Sequence, residues 1–194
     1  VGTALTNGDC DLILMSSAGK TIRFAESDVR AMGRTARGVR GIRLHEGQRM
    51  VSLMVADDEK QVLTVSENGY GKRTRSSDFP LRGRGGQGVI GIQASERNGA
   101  VVGSVQVTDS DEIMLISSKG TMVRTRVDEV SVQGRNTQGV RLIRLKEGEK
   151  LVGLERVDEP AEQPLDETDE AQASTSTDVS DASAASDVDA SDAE

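Results

Sequence analysis

The chain has 194 residues, starts at Val1 rather than Met, and sets 24 Lys and Arg against 32 Asp and Glu, for a net charge of −8. Its one cysteine, Cys10, rules out an internal disulfide, and no apolar run approaches the ~18–20 residues of a membrane span. A cytoplasmic, non-membrane protein is expected, and the missing Met suggests a piece of a longer one.

The charge is segregated. Residues 158–194 hold 13 Asp and Glu and no Lys or Arg, which leaves 19 acids against 24 bases in 1–157, a net of +5. A basic body with an acidic tail points to a polyanionic partner. Aromatics are limited to Phe24, Tyr70 and Phe79, with no Trp. Single-stranded nucleic acid is gripped largely by stacking on aromatic rings. Any nucleic acid bound here is therefore expected to be a duplex, held by its phosphates.

Taken in chain order, the first predicted strand is the apolar run "LILM" at 12–15. A hairpin turn, "SSAGK", leads into a second strand carrying Lys20 and Arg23. A glycine box, "GRTARGV", spans 33–39, and another apolar run, "MVSLMV", closes the unit at 50–55. The order then repeats: "VLTV" at 62–65, the turn "SENGYGK", the strand "GKRTR", the box "GRGGQGV" from Gly83, and "VVGSVQV" at 101–107. It repeats again with "IMLI" at 113–116, "SSKGT", "MVRTR", the box "GRNTQGV" from Gly134, and "LVGLERV" at 151–157. The boxes are 50 and 51 residues apart. Other anchors keep the same spacing: Gly19, Gly69 and Gly120; Arg23, Arg73 and Arg124; Asp28, Asp78 and Glu129; Ile42, Ile92 and Ile143.

Three such units, over about 4–55, 56–107 and 108–157, predict an all-β, propeller-like array. Three blades are too few for a ring of ordinary propeller size. Residues 158–194 are Ser-, Ala- and acid-rich and predict a disordered tail. Two readings of the tail stay open: a solvated extension, or a competitor of DNA for the basic body.

The box and strand motifs resemble the C-terminal domain of the bacterial DNA gyrase A subunit. The likeness runs over about 4–157, and "GYGKRT", "GRGGQGVIGI" and "GRNTQGVRLI" carry it. The resemblance implies a β-pinwheel, a propeller variant that exchanges strands between blades, with duplex DNA wrapped around a basic rim. It implies ATP-dependent negative supercoiling by the parent enzyme, with ATP and Mg2+ used outside this chain. Its implied partners are the gyrase B subunit and, in an A2B2 assembly on the chromosome, a second A subunit. The family's signature box is Q-R-R-G-G-K-G. Residues 82–88 keep Arg84, Gly85, Gly86 and Gly88 in register, but carry Arg82, Gly83 and Gln87 elsewhere. Residues 133–139 keep Gln133, Arg135 and Gly139. The alternatives are the C-terminal domain of the topoisomerase IV A subunit, or a propeller that binds proteins.

The candidate DNA contacts are Lys20, Arg23, Arg34, Arg37, Arg40, Arg43, Lys72, Arg73, Arg75, Arg82, Arg84, Arg124, Arg126, Arg135, Arg141 and Arg144. Arginine offers a permanent charge and a bidentate fork to phosphate. The box arginines Arg34, Arg84 and Arg135 have a second reading, as braces for a neighbouring blade. Strand alternation puts Arg73 with Arg75, and Arg124 with Arg126, on one face. Box glycines Gly33, Gly38, Gly83, Gly85, Gly86, Gly88, Gly134 and Gly139 fit either a close approach of the DNA backbone or a turn.

No catalytic residue, metal or cofactor is expected in this chain. "SAGKT" at 17–21 lacks the first glycine of a phosphate-binding loop, because position 14 is Leu. "DCD" and "DSDE" read as polar turns, His45 as a surface residue and Tyr70 as structural.

Overall fold

A computed structural model describes residues 2–157. The disordered tail expected over 158–194 lies outside the described residues. Within them the chain is all-β, apart from single turns of 3-10 helix at Glu26–Asp28, Ser76–Asp78 and Val127–Glu129. No helix among the described residues is long and apolar enough to cross a membrane.

The first repeat supplies β1 (Asp11–Ser16), β2 (Lys20–Ala25) and β3 (Met50–Val55). The second supplies β4 (Gln61–Ser66), β5 (Tyr70–Arg75), β6 (Val89–Ile90) and β7 (Val101–Val107). The third supplies β8 (Glu112–Ser117), β9 (Met122–Arg126), β10 (Val140–Arg141) and β11 (Leu151–Val157). The sheet orders are β3-β1-β2-β6, β7-β4-β5-β10 and β11-β8-β9, with every strand pairing antiparallel.

A four-stranded blade is therefore not one contiguous repeat. Each repeat builds three strands of its own sheet, and the box of the next repeat lends the fourth. Val89 pairs with Thr21 and Ile90 with Lys20; one blade later, Val140 pairs with Gly71 and Arg141 with Tyr70. The corresponding Val39 and Arg40 form no strand, and among the described residues no strand pairs with the outer edge of β9. The cores follow the same logic. Ile13, Met15 and Met54 of the first repeat pack with Val62, Phe79, Ile92 and Val101 of the second. Leu63 and Val65 pack with Ile113, Leu115, Val127 and Leu151. The blades are thus joined by shared apolar cores as well as by lent strands, and the middle sheet is covered on both faces.

The closing box glycine makes the lending possible. Gly139 has φ +81, and a Cβ there would lie 2.6 Å from the Gly71 carbonyl oxygen; Gly88, at φ +70, would meet the Thr21 carbonyl in the same way. Gly38 has the same φ of +81 but open space around it. Gly139→Ala and Gly88→Ala are expected to cost roughly 2–5 kcal/mol, the sum of left-handed strain and a backbone clash. Gly38→Ala is expected to cost only ~1–2 kcal/mol, from the strain alone. Urea melts of the three variants measure the difference. Equal losses at Gly38 and Gly139 would contradict the strand-lending role.

Candidate nucleic-acid interface

The structure divides the predicted cations into two populations. Inside the array, strand residues act as staples. Arg23 in β2 donates from Nε to Asp11 Oδ2 at 2.8 Å and reaches both Asp58 oxygens, at 2.6 and 3.1 Å. Its guanidinium holds the Asp58 carboxyl below its ordinary range. Arg73, at the same place in β5, donates to the Val130 carbonyl at 2.6 Å and pairs with Asp109. Asp58 and Asp109 both lie in the turn that opens the following repeat. Each arginine therefore ties the end of one blade to the start of the next.

Lys72, expected at the DNA face, is instead interior. It is 1% exposed, where the other repeats place Ile22 and Val123. Its ammonium donates to the carbonyls of Gly134 and Arg135 at 2.6 and 2.5 Å, and to Thr137 Oγ1 at 3.1 Å. Burial, with the Arg135 charge nearby, lowers it from 10.5 to about 8. Three oxygen acceptors match its three N–H donors, the set that suits an ammonium. The third box therefore turns carbonyls inward onto a lysine. It is not an open phosphate cradle.

The pairing of Arg73 with Arg75 on one exposed face is also corrected. Arg73 is 6% exposed, whereas Arg75, at the strand end, is exposed. In the third blade Arg124 and Arg126 are both exposed, paired with Glu112 and Asp128 respectively. The same sequence position is interior in one blade and exterior in the next, because among the described residues a following repeat covers only the former.

The box arginines split as well. Arg84 donates to the carbonyls of Asp28 at 3.1 Å and Arg40 at 2.7 Å, and Arg135 donates to that of Ile90 at 3.4 Å. Both brace the preceding repeat. Arg34 is exposed. Lys20, Arg84 and Arg135 are half-buried.

The second population is at the surface: Arg34, Arg37, Arg40, Arg43, Arg75, Arg82, Arg141 and Arg144 are exposed, and among the described residues none is in an ion pair. Interior cations end on acids or carbonyls, while most exposed ones keep their charge available. Arg97, exposed in the turn before β7, escapes motif reading. Its only signal is that this turn is one residue longer than its counterparts. Among the described residues no group of three or more metal-ligating side chains converges.

A family model described as "DNA gyrase C-terminal domain, beta-propeller" matches residues 11–57, 60–108 and 111–158. The chain belongs to this gyrase C-terminal domain family. The three matched segments coincide with the three strand repeats, and the backbone agrees. The chain is similar to a solved DNA gyrase A C-terminal domain, with a TM-score of 0.72 and 32% identity over 78% of this chain and 52% of that one. It is also similar to the C-terminal domain of DNA topoisomerase IV, with a TM-score of 0.75 and 25% identity over 80% and 49%. Backbone shape does not separate the two, but sequence does. The chain is 58% identical to the DNA gyrase A subunit of Pseudomonas aeruginosa over 90% of its length, and 53% identical to that of Escherichia coli over 89%. It spans about a fifth of those relatives, 19% and 20%. These gyrase-type blades keep the spacing of the box while varying its residues, as strand lending requires: the closing glycine and valine are constant and the middle is free.

Proposed function

We propose that this chain is a duplex-DNA wrapping segment of a gyrase A subunit. The observation that carries the reading is the division of charge: interior arginines end on acids or carbonyls, while eight exposed arginines on successive repeats do not. Unpaired arginines recurring on successive repeats suit the regularly spaced phosphates of a bent duplex. Any sequence preference is expected to come from bendability, since among the described residues no α-helix is present to enter the major groove. In the parent enzyme, an A2B2 assembly of two A and two B subunits in contact with the chromosome, the wrap supplies the DNA segment for negative supercoiling. ATP and Mg2+ act there and not in this chain.

The test is topological. A nicked circle is sealed by ligase with and without saturating chain, and the protein is then removed. The topoisomer distribution is expected to shift when the chain is present. An unchanged distribution at full occupancy would leave a DNA-binding module that does not wrap. No occupancy at all would favour a protein partner.

A further inference from the structure

Tyr70 opens β5 where the other repeats have Lys20 and Thr121, and it is 7% exposed. Register puts it opposite Arg141, whose guanidinium donates to the phenol oxygen at 2.8 Å and lies 5.3 Å from the ring centroid. Arg97 lies over the same ring at 4.9 Å and also reaches Gln138 Oε1 at 3.4 Å.

The turn that carries Arg97 is built to hold it. It is one residue longer than its counterparts: Ile92 to Val101, against Ile42 to Met50 and Ile143 to Leu151. Asn98 in this turn is 0% exposed. It donates to the carbonyls of Gln93 and Gln138 at 3.0 and 3.1 Å and accepts from the Ser95 amide at 2.8 Å. From the other side, Asn68 donates to the carbonyls of Glu96 and Arg97, each at 3.1 Å. Two asparagines thus fix the backbone beneath an exposed arginine.

Two guanidiniums converge on one uncharged phenol, and among the described residues neither is in an ion pair. Like charges repel unless an anion joins them. Hydrogen bonding from Arg141 first and Arg97 second holds the phenol below its ordinary range. Both side chains are exposed, so the place is open to a ligand.

We propose that Arg97 and Arg141, set on Tyr70, form a phosphodiester-binding site on the middle blade that takes one phosphate of the duplex backbone. The site rests on the wrapping reading of the same surface. A phosphodiester offers two non-bridging oxygens and one negative charge, which match the forks of two arginines.

Tyr70 is the only tyrosine, so a tyrosine label carrying 13C at Cζ alone on the full chain gives a single ring resonance. Duplex DNA is expected to move that resonance, and added salt to return it. Arg97→Ala is expected to weaken duplex binding about 5–10-fold at ~0.1 M salt and to lower the salt slope by about 1. Circular dichroism checks its fold, and Arg97→Lys is expected to keep most of the slope. Suppose wild-type binding is steep in salt while the Tyr70 resonance stays fixed, or Arg97→Ala binds like wild type. Either result overturns this site alone. Wild type that binds no duplex in a salt-dependent way overturns the wrapping reading and the site with it.

Discussion

Duplex affinity of the chain is expected to fall about 10⁴-fold between 50 and 200 mM salt, since each phosphate neutralised contributes about −0.9 to the log–log slope. The eight exposed arginines that the sequence motifs single out lack an ion pair among the described residues and set the expected number of contacts. Arg40 and Arg43 flank the exposed first box, where no strand is lent to a preceding sheet among the described residues. Replacing both with alanine should lower the slope by about 2 and weaken all sequences alike, as phosphate contacts do. Fluorescence anisotropy across a salt series measures both quantities. A shallow slope from folded protein would mean that these arginines do not meet phosphate.

Arg73→Ala is expected to cost ~1–3 kcal/mol of stability, because it leaves the Val130 carbonyl unpaired in a buried junction, whereas its acid partner Asp109 is 70% exposed and adds little. The side chain is 7% exposed; it donates to the Val130 carbonyl at 2.6 Å and pairs with Asp109. Arg124→Ala removes the residue at the same repeat position, but Arg124 is 50% exposed and paired with Glu112. Solvent screens that pair, and the expected cost is ~0–1 kcal/mol. Paired denaturant titrations measure the contrast. Equal losses would show that the two blades use this arginine in the same way.

These two results depend on a distinction that the repeat pattern does not contain. Arg23, Arg73 and Arg124 look alike in sequence, each in a basic strand after a hairpin. Alternation along β5 correctly sets Arg73 and Arg75 on one face, but a strand-end arginine can be exposed while its neighbour two residues back is capped by the following repeat. Lys72 is the sharper case. A lysine between a glycine and an arginine reads as surface charge. Its four-carbon stem instead fills the place of an isoleucine or valine and delivers the ammonium to two carbonyls and a threonine hydroxyl of a box 62–65 residues away. Nothing local to "GKRTR" records that acceptor set. Tyr70, read as structural, does pack under the surface, yet its partners come from a turn and a lent strand.

The long strands and the three-fold repeat with its box were legible because they rest on local rules: period-two burial, turn chemistry and recurring spacing, whereas the short lent strands β6 and β10 were not. Those rules suffice for an all-β repeat array and a basic body, while its kinship came from the resemblance of the box and strand motifs to a known family. Which cations face solvent is settled only when the repeats pack, because it depends on whether another repeat covers a given strand and lends it an edge. Burial forces a covered cation to find acids or carbonyls, while an uncovered one keeps its charge for a phosphate.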